Sequence, residues 1–230
     1  MDRSLTRRSL LRAGFALPLL ALPGCTAGLG GFGFEDALRR LLTLSSQRAF
    51  ARLLQENGFF QDELARVPLP PQLSRAGAIA SALLGTSLVQ NQLLQLMNRA
   101  AASAAEVPAP IVYDSIRNMS FADAVSLVRG GPTAATDFLQ RSMGNAIVDA
   151  MFPGVGNALR LFDNGVINRV VQAATGINFG GLQRHVTQSA ANGIYRAIGR
   201  EEAAIRANPR ETGDPVLMGV FGRLFDIVNP

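Results

Sequence analysis

Met97–Leu139 reads MNRAAASAAEVPAPIVYDSIRNMSFADAVSLVRGGPTAATDFL, and it holds the densest set of helix start and stop signals in the chain. Met97 to Ala104 completes an apolar stripe with Val89 and Leu93. Pro108 and Pro110 open a second run carrying Ile111, Val112 and Ile116. Ser120 and Asp123 have the spacing of a capping box, with Ser120 as N-cap, ahead of a short helix ending at Gly130-Gly131. Pro132 suits the first position of the next helix. Three helical runs joined by two tight corners describe an α-helical fold.

The pattern continues outward in both directions. Apolar residues at Leu38, Leu41, Leu42, Phe50, Leu53 and Leu54 predict a helix over Glu35–Gln55, stopped by Asn57-Gly58. Val67-Pro68-Leu69-Pro70-Pro71 is an extended connector, because a residue before proline is pushed out of the helical region. Helices are expected at Gln72–Leu84 and Thr86–Ala104. Beyond the central stretch they are expected at Thr133–Phe152, with an interruption at Gly144, and, after a break at Pro153-Gly154, at Gly156–Phe162 and Val166–Thr175. A long one spans Leu182–Ala207 after the Asn178–Gly181 loop, and a last runs Pro215–Ile227. No sustained strand alternation and no repeat interrupts this. The expectation is all-α: a single compact multi-helix domain of eight to ten helices over residues 35–230.

Residues 1–25 read as a targeting segment. Thr6-Arg7-Arg8-Ser9-Leu10-Leu11-Arg12 resembles a twin-arginine export signal, with Arg7 and Arg8 as its pair. The apolar run Ala13–Leu22 is too short to cross a hydrocarbon core of roughly 30 Å as a helix. Leu22-Pro23-Gly24-Cys25 resembles a lipobox and marks Cys25, the only cysteine, for lipidation; an unmodified Cys beside an ordinary cleavage site is the alternative. Thr26 after it favours the outer membrane, and a soluble periplasmic protein is the other outcome. Residues 26–34, rich in glycine, have the composition of a tether.

The formal charge of +5 over 230 residues does not describe the mature chain. Arg3, Arg7, Arg8, Arg12 and Asp2 fall in the targeting segment, and the remaining 18 arginines and 16 acids leave +2. That is no footprint for a phosphate backbone, and nucleic acid is excluded as a partner. One Cys and one His make no structural zinc site or disulfide framework, and no cofactor site is visible. Without Trp and with two Tyr there is no aromatic platform for sugars or bases.

Six motifs in order, MNRAA (97–101), P-I-x-x-x-S-I-x-N-M (110–119), D-A (123–124), G-G-x-T-A-A-T-D-F-L (130–139), H-V-T (185–187) and E-E-x-x-I-R-x-N-P (201–209), resemble the bacterial domain-of-unknown-function 4197 family. Val67-Pro68-Leu69-Pro70 matches that family's connector. The resemblance covers residues 35–225 and implies an exported, all-helical protein with no assigned activity. It places Pro132 where the family usually has an acid.

The residues offer few candidates for chemistry. At 100° per residue, Val186, Ala190, Ile194, Ala197 and Ile205 form one stripe of the long helix. Glu201 falls near its centre, whereas Glu202 points away and can pair with Arg206 at i+4. An inward carboxylate needs a cation or a proton, so Glu201 with Arg99 or Arg117 forms a candidate buried polar cluster. Asp137 reads as a solvated pair with Arg141, and His185 as solvated. Three functions follow: a non-catalytic envelope lipoprotein presenting a helical surface to a protein partner, a carrier of an apolar or lipid ligand in a helical cavity, or an enzyme with a carboxylate centre. The last needs Glu201 to converge with Asp114 or Asp137.

Overall fold

The fold is built around one helix that is buried on most of its circumference. In the computed structural model, which describes residues 32–71, 87–162 and 178–228 with Gln172 and Gly176, that helix is Phe179–Ala207. In chain order the elements are α1 (Phe32–Leu53), α2 (Gly58–Gln61), α3 (Ser87–Ala104), α4 (Pro108–Asn118), α5 (Ala124–Arg129), α6 (Ala134–Met143), α7 (Ala146–Phe162), α8 (Phe179–Ala207), a 3₁₀ turn (Pro209–Thr212) and α9 (Pro215–Val228). The described residues thus hold nine α-helices and no strand, and the all-α expectation is met.

The stripe read from the sequence is the innermost line of α8: Val186, Ala190, Ile194, Ala197 and Ile205 are all buried. Ala191, Tyr195 and Ile198 are buried as well, so several partners surround the helix. It packs most extensively on α1 and then on α7, α6 and α3, while α3 and α4 cover α7. Leu38, Leu41, Leu53, Phe59, Met97, Ile116, Leu139, Ile147 and Met151 fill the spaces between them. Removing such residues from water supplies the main stabilisation, at about 25 cal/mol per Å² of apolar surface.

Glycine sets one close approach. A Cβ on Gly193 would lie 2.6 Å from the Ala65 carbonyl oxygen, so residues 62–67 run directly across α8 there. Asn98 of α3 holds this connector by its backbone: the Val67 amide donates to Asn98 Oδ1 at 2.9 Å, and Asn98 Nδ2 donates to the Val67 carbonyl at 3.1 Å. A side-chain amide here does what a neighbouring strand would do elsewhere.

Several boundaries differ from expectation. α1 begins at Phe32, so residues 32–34 belong to the helix rather than the tether; Phe34 is half-buried against the core. Ser120 is not a cap. α5 starts at Ala124 with Asp123 as N-cap, its carboxylate accepting from the Ser126 amide at 3.2 Å. Pro132 likewise precedes the helix, which begins at Ala134 with Thr133 as N-cap.

Gly144, at φ +53°, divides the expected 133–152 helix into α6 and α7, as the sequence suggested. Pro153, by contrast, does not break the chain: α7 runs through it to Phe162. Proline costs the helix one hydrogen bond, to the Asp149 carbonyl, and both residues lie on the exposed face where water can take its place. The expected helices 72–84 and 166–175 lie outside the described residues except for Gln172. Residues 1–25, with Arg7, Arg8 and Cys25, lie outside them entirely, as do tether residues 26–31. No described helix is long and apolar enough to cross a membrane.

Candidate functional site

The ionic groups of the interior gather along the last two turns of α8. Glu202 is fully buried and reaches the start of α6, where the first amides of any helix lack intrahelical partners. The Ala135 amide donates to Oε1 at 3.0 Å, and the Thr136 amide and hydroxyl donate to Oε2 at 2.7 and 2.6 Å. A negative charge there also meets the positive end of the helix dipole.

Arg206, one turn later, does the converse for α5. Its Nε donates to Glu202 at 2.8 Å, and its two terminal nitrogens donate to the Val128 and Leu127 carbonyls at 2.8 and 3.0 Å. The guanidinium also lies 4.8 Å from the centre of the Phe221 ring of α9. Glu202 and Arg206 together close the corner Gly130-Gly131-Pro132 from both sides.

Glu201, on the adjoining face, is also buried. Its cation is Arg52 at the end of α1, 3.0 Å away, with Arg200 Nε at 3.6 Å. Arg200 forms a two-pronged pair with Asp62, at 3.0 and 2.7 Å. Asp62 Oδ1 also accepts from the Leu64 and Ala65 amides, shaping the turn that starts the connector. Burial by itself would raise the Asp62 pKa; the Arg200 hydrogen bonds and the two amides outweigh it and hold the carboxyl below its ordinary value. Tyr195, on the same helix before Arg200, has a buried hydroxyl with no partner among the described residues, and burial pushes its pKa up to about 12.

Two shallow clefts flank Arg200. One of about 400 Å³ is lined by Thr133, Asp137, Gln140 and Arg196, and one of about 630 Å³ by Arg52, Glu56, Asp62 and Glu63.

Glu201 thus meets Arg52 and Arg200, not Arg99 or Arg117. Arg99 is exposed on α3, and Arg117 is exposed on α4, where it pairs with Asp114 one turn away. Glu202 is turned inward too, although it does pair with Arg206 as expected. A helix buried on several sides has room inside for two adjacent glutamates 100° apart, which a single stripe does not reveal. Glu201, Asp114 and Asp137 sit on three helices, and no hydrogen bond or ion pair among the described residues joins them. Asp137 is exposed and accepts from the Thr133 hydroxyl at 3.2 Å rather than meeting Arg141.

His185 is half-buried, its Nε2 2.8 Å from the Pro68 carbonyl oxygen. It clamps the connector, as does Arg196, whose Nε donates to the Leu64 carbonyl at 2.6 Å. Sequence reasoning gave none of these connector contacts: Asn98, His185 and Arg196 bond to backbone, which carries no residue signature. Among the described residues no group of three His, Cys, Asp or Glu side chains is placed to hold a metal ion.

Residues 29–222 match a family model described as a protein of unknown function, DUF4197, and the chain belongs to that family. No curated protein and no solved structure matches the chain.

Proposed function

We propose that this protein is a non-catalytic cell-envelope lipoprotein, exported through a twin-arginine-like signal at Arg7-Arg8 and anchored by lipid at Cys25 on the periplasmic side, in the outer membrane. Its helical domain meets an envelope protein partner. The observation that carries the reading is the engagement of Asp62, Glu201 and Glu202, each of which faces an arginine, with Asp62 and Glu202 bonded to backbone amides as well. Acid–base catalysis needs a carboxyl free to exchange its proton with a substrate. These three are spent on holding helices and a connector in place. The lone cysteine at the end of the apolar signal run supports the anchor, and six residues separate it from the first turn of α1.

The test pairs lipid labelling with in-cell crosslinking and pull-down for wild type and Cys25→Ser. Fatty acid on the wild type and none on Cys25→Ser is expected, together with a crosslinked protein partner that depends on the anchor. An unlabelled wild type overturns the anchor.

A second reading, a carrier for an apolar ligand, is favoured by one feature. A groove of about 470 Å³ opens between the first turn of α1, α5 and the start of α9. Its walls include Phe34, Val128 and Val220, and its size falls in the range of small-molecule sites. Binding of a fluorescent fatty acid, displaced by unlabelled fatty acid, tests it.

A further inference from the structure

The same groove lies where the chain enters the domain. Gly33 and Phe34 of α1 form one wall, Val125 and Val128 of α5 a second, and Val216 and Gly219 of α9 a third. Val125 remains 41% exposed, so apolar surface is left open to solvent here. A Cβ added at Gly33 or at Gly219 would meet no atom within 4 Å, so the two glycines leave space in the groove rather than packing against a neighbour.

Cys25 stands eight positions before Gly33, a reach of at most about 28 Å even when fully extended. Whatever Cys25 carries is therefore held within reach of the groove, at a high effective concentration. The geometry points to the groove as the docking site for an acyl chain borne on Cys25 of the same molecule. This rests on the lipid anchor proposed above.

The groove offers much of what an acyl chain needs: its lining is mostly apolar, with Asp36 and Arg129 as its charged members, and no described residue that lines it leaves a buried polar side-chain atom without a partner. Docking shields the chain from water when the protein is away from a bilayer, and draws the α1 end of the domain against the anchor. A second copy or a bilayer phospholipid would not require the groove to open beside the tether. The anchor's own chain reaches it without leaving the molecule.

The test uses full-length protein purified from cells fed a diazirine-bearing fatty acid, irradiated without a bilayer and mapped by mass spectrometry. Crosslinks from Cys25-bound fatty acid to peptides containing residues 124–129 or 215–220 are expected. They are lost in Gly219→Leu, which fills the groove from an exposed position and should leave the unfolding temperature of the domain no lower than that of wild type.

Absence of fatty acid on Cys25 defeats the anchor, and the docking with it. Fatty acid on Cys25 with crosslinks elsewhere, or unchanged in Gly219→Leu, overturns the docking alone. In a mixture with unlabelled, isotopically heavy Cys25→Ser protein, crosslinks confined to the labelled chain support the proposal, whereas crosslinks on the heavy chain overturn it. Crosslinks with the mass of a phospholipid rather than the Cys25 peptide also overturn it.

Discussion

Glu202 Oε2 lies 2.6 Å from the hydroxyl of Thr136 and 2.7 Å from its amide nitrogen, across 66 positions of sequence. One carboxylate thus caps a helix to which it does not belong, in a corner whose own N-cap residue, Thr133, makes no side-chain cap bond.

Glu202→Ala would strip two buried amides, a hydroxyl and Arg206 of their partner at once. Losing one side of a buried charge pair costs roughly 3–5 kcal/mol, and we expect a loss of that order in the stability measured by denaturant unfolding. Thr136→Val removes only the hydroxyl contact and should cost about 1–2 kcal/mol. A loss for Glu202→Ala no larger than for Thr136→Val would show that the cap is not essential to the corner.

The Asp62–Arg200 pair makes stability depend on pH with a definite sign. The Asp62 carboxyl titrates below its ordinary value when folded, so at low pH the unfolded chain binds the proton first. Its contribution is complete above the unfolded carboxyl pKa and is lost as pH falls through the folded one. Asp214 acts in the same direction: burial works against it, but the Leu217 amide and Arg40 prevail. Asp62→Asn should cost about 2 kcal/mol at pH 7. The gap between it and wild type should narrow below pH about 4. Denaturant unfolding at pH 7 and pH 3 measures both, and a gap that widened on acidification would contradict the assignment.

Asn98 supplies both hydrogen bonds of the buried Val67 backbone, and its Nδ2 also reaches the Leu94 carbonyl at 2.7 Å. Asn98→Ala should destabilise by about 2–3 kcal/mol, since a donor and an acceptor are left buried without partners. Asn98→Asp keeps the acceptor but places a charge against the Val67 carbonyl, and should be no better. Faster amide exchange at Val67 in both variants would report the loss directly.

Two glycines should respond in opposite directions to alanine. At Gly193 the new methyl would press on Ala65 backbone atoms at 2.6 and 2.9 Å, and a shift of the connector costing roughly 1–3 kcal/mol is expected. At Gly219 the methyl meets open space on an exposed helical face, and the gain in helix propensity should stabilise by about 1 kcal/mol. Thermal unfolding of the two variants side by side decides the matter.

The residues that periodicity could find were those whose burial follows from a single stripe, such as Val186, Ile194 and Ile205 on α8. Gly144 was visible because a positive φ has a strong residue preference. Pro153 misled because the packing of α7 carries the helix through a residue that is costly in a helix interior, on an exposed face where water can take the lost hydrogen bond. The central stretch meets α8 through Glu202, whereas Glu201 faces α1. Choosing between neighbours needs the packing of every helix around α8, which local spacing does not contain. The arginines were harder still: Arg52 and Arg200 look like any surface cation until α1, the connector and α8 are brought together.

The central position of α8 has a consequence for the order in which the molecule can be made. Residues 179–207 leave the ribosome after α1 to α7, yet α1, α3, α6 and α7 all bury their apolar faces against them. Until they emerge, the earlier helices have no common partner, and the corner at Gly130-Gly131 lacks both the acid and the base that close it. Assembly of the domain therefore waits until α8 has been made. A nascent chain stalled before Ile205 should remain bound to chaperones and sensitive to protease along its whole length.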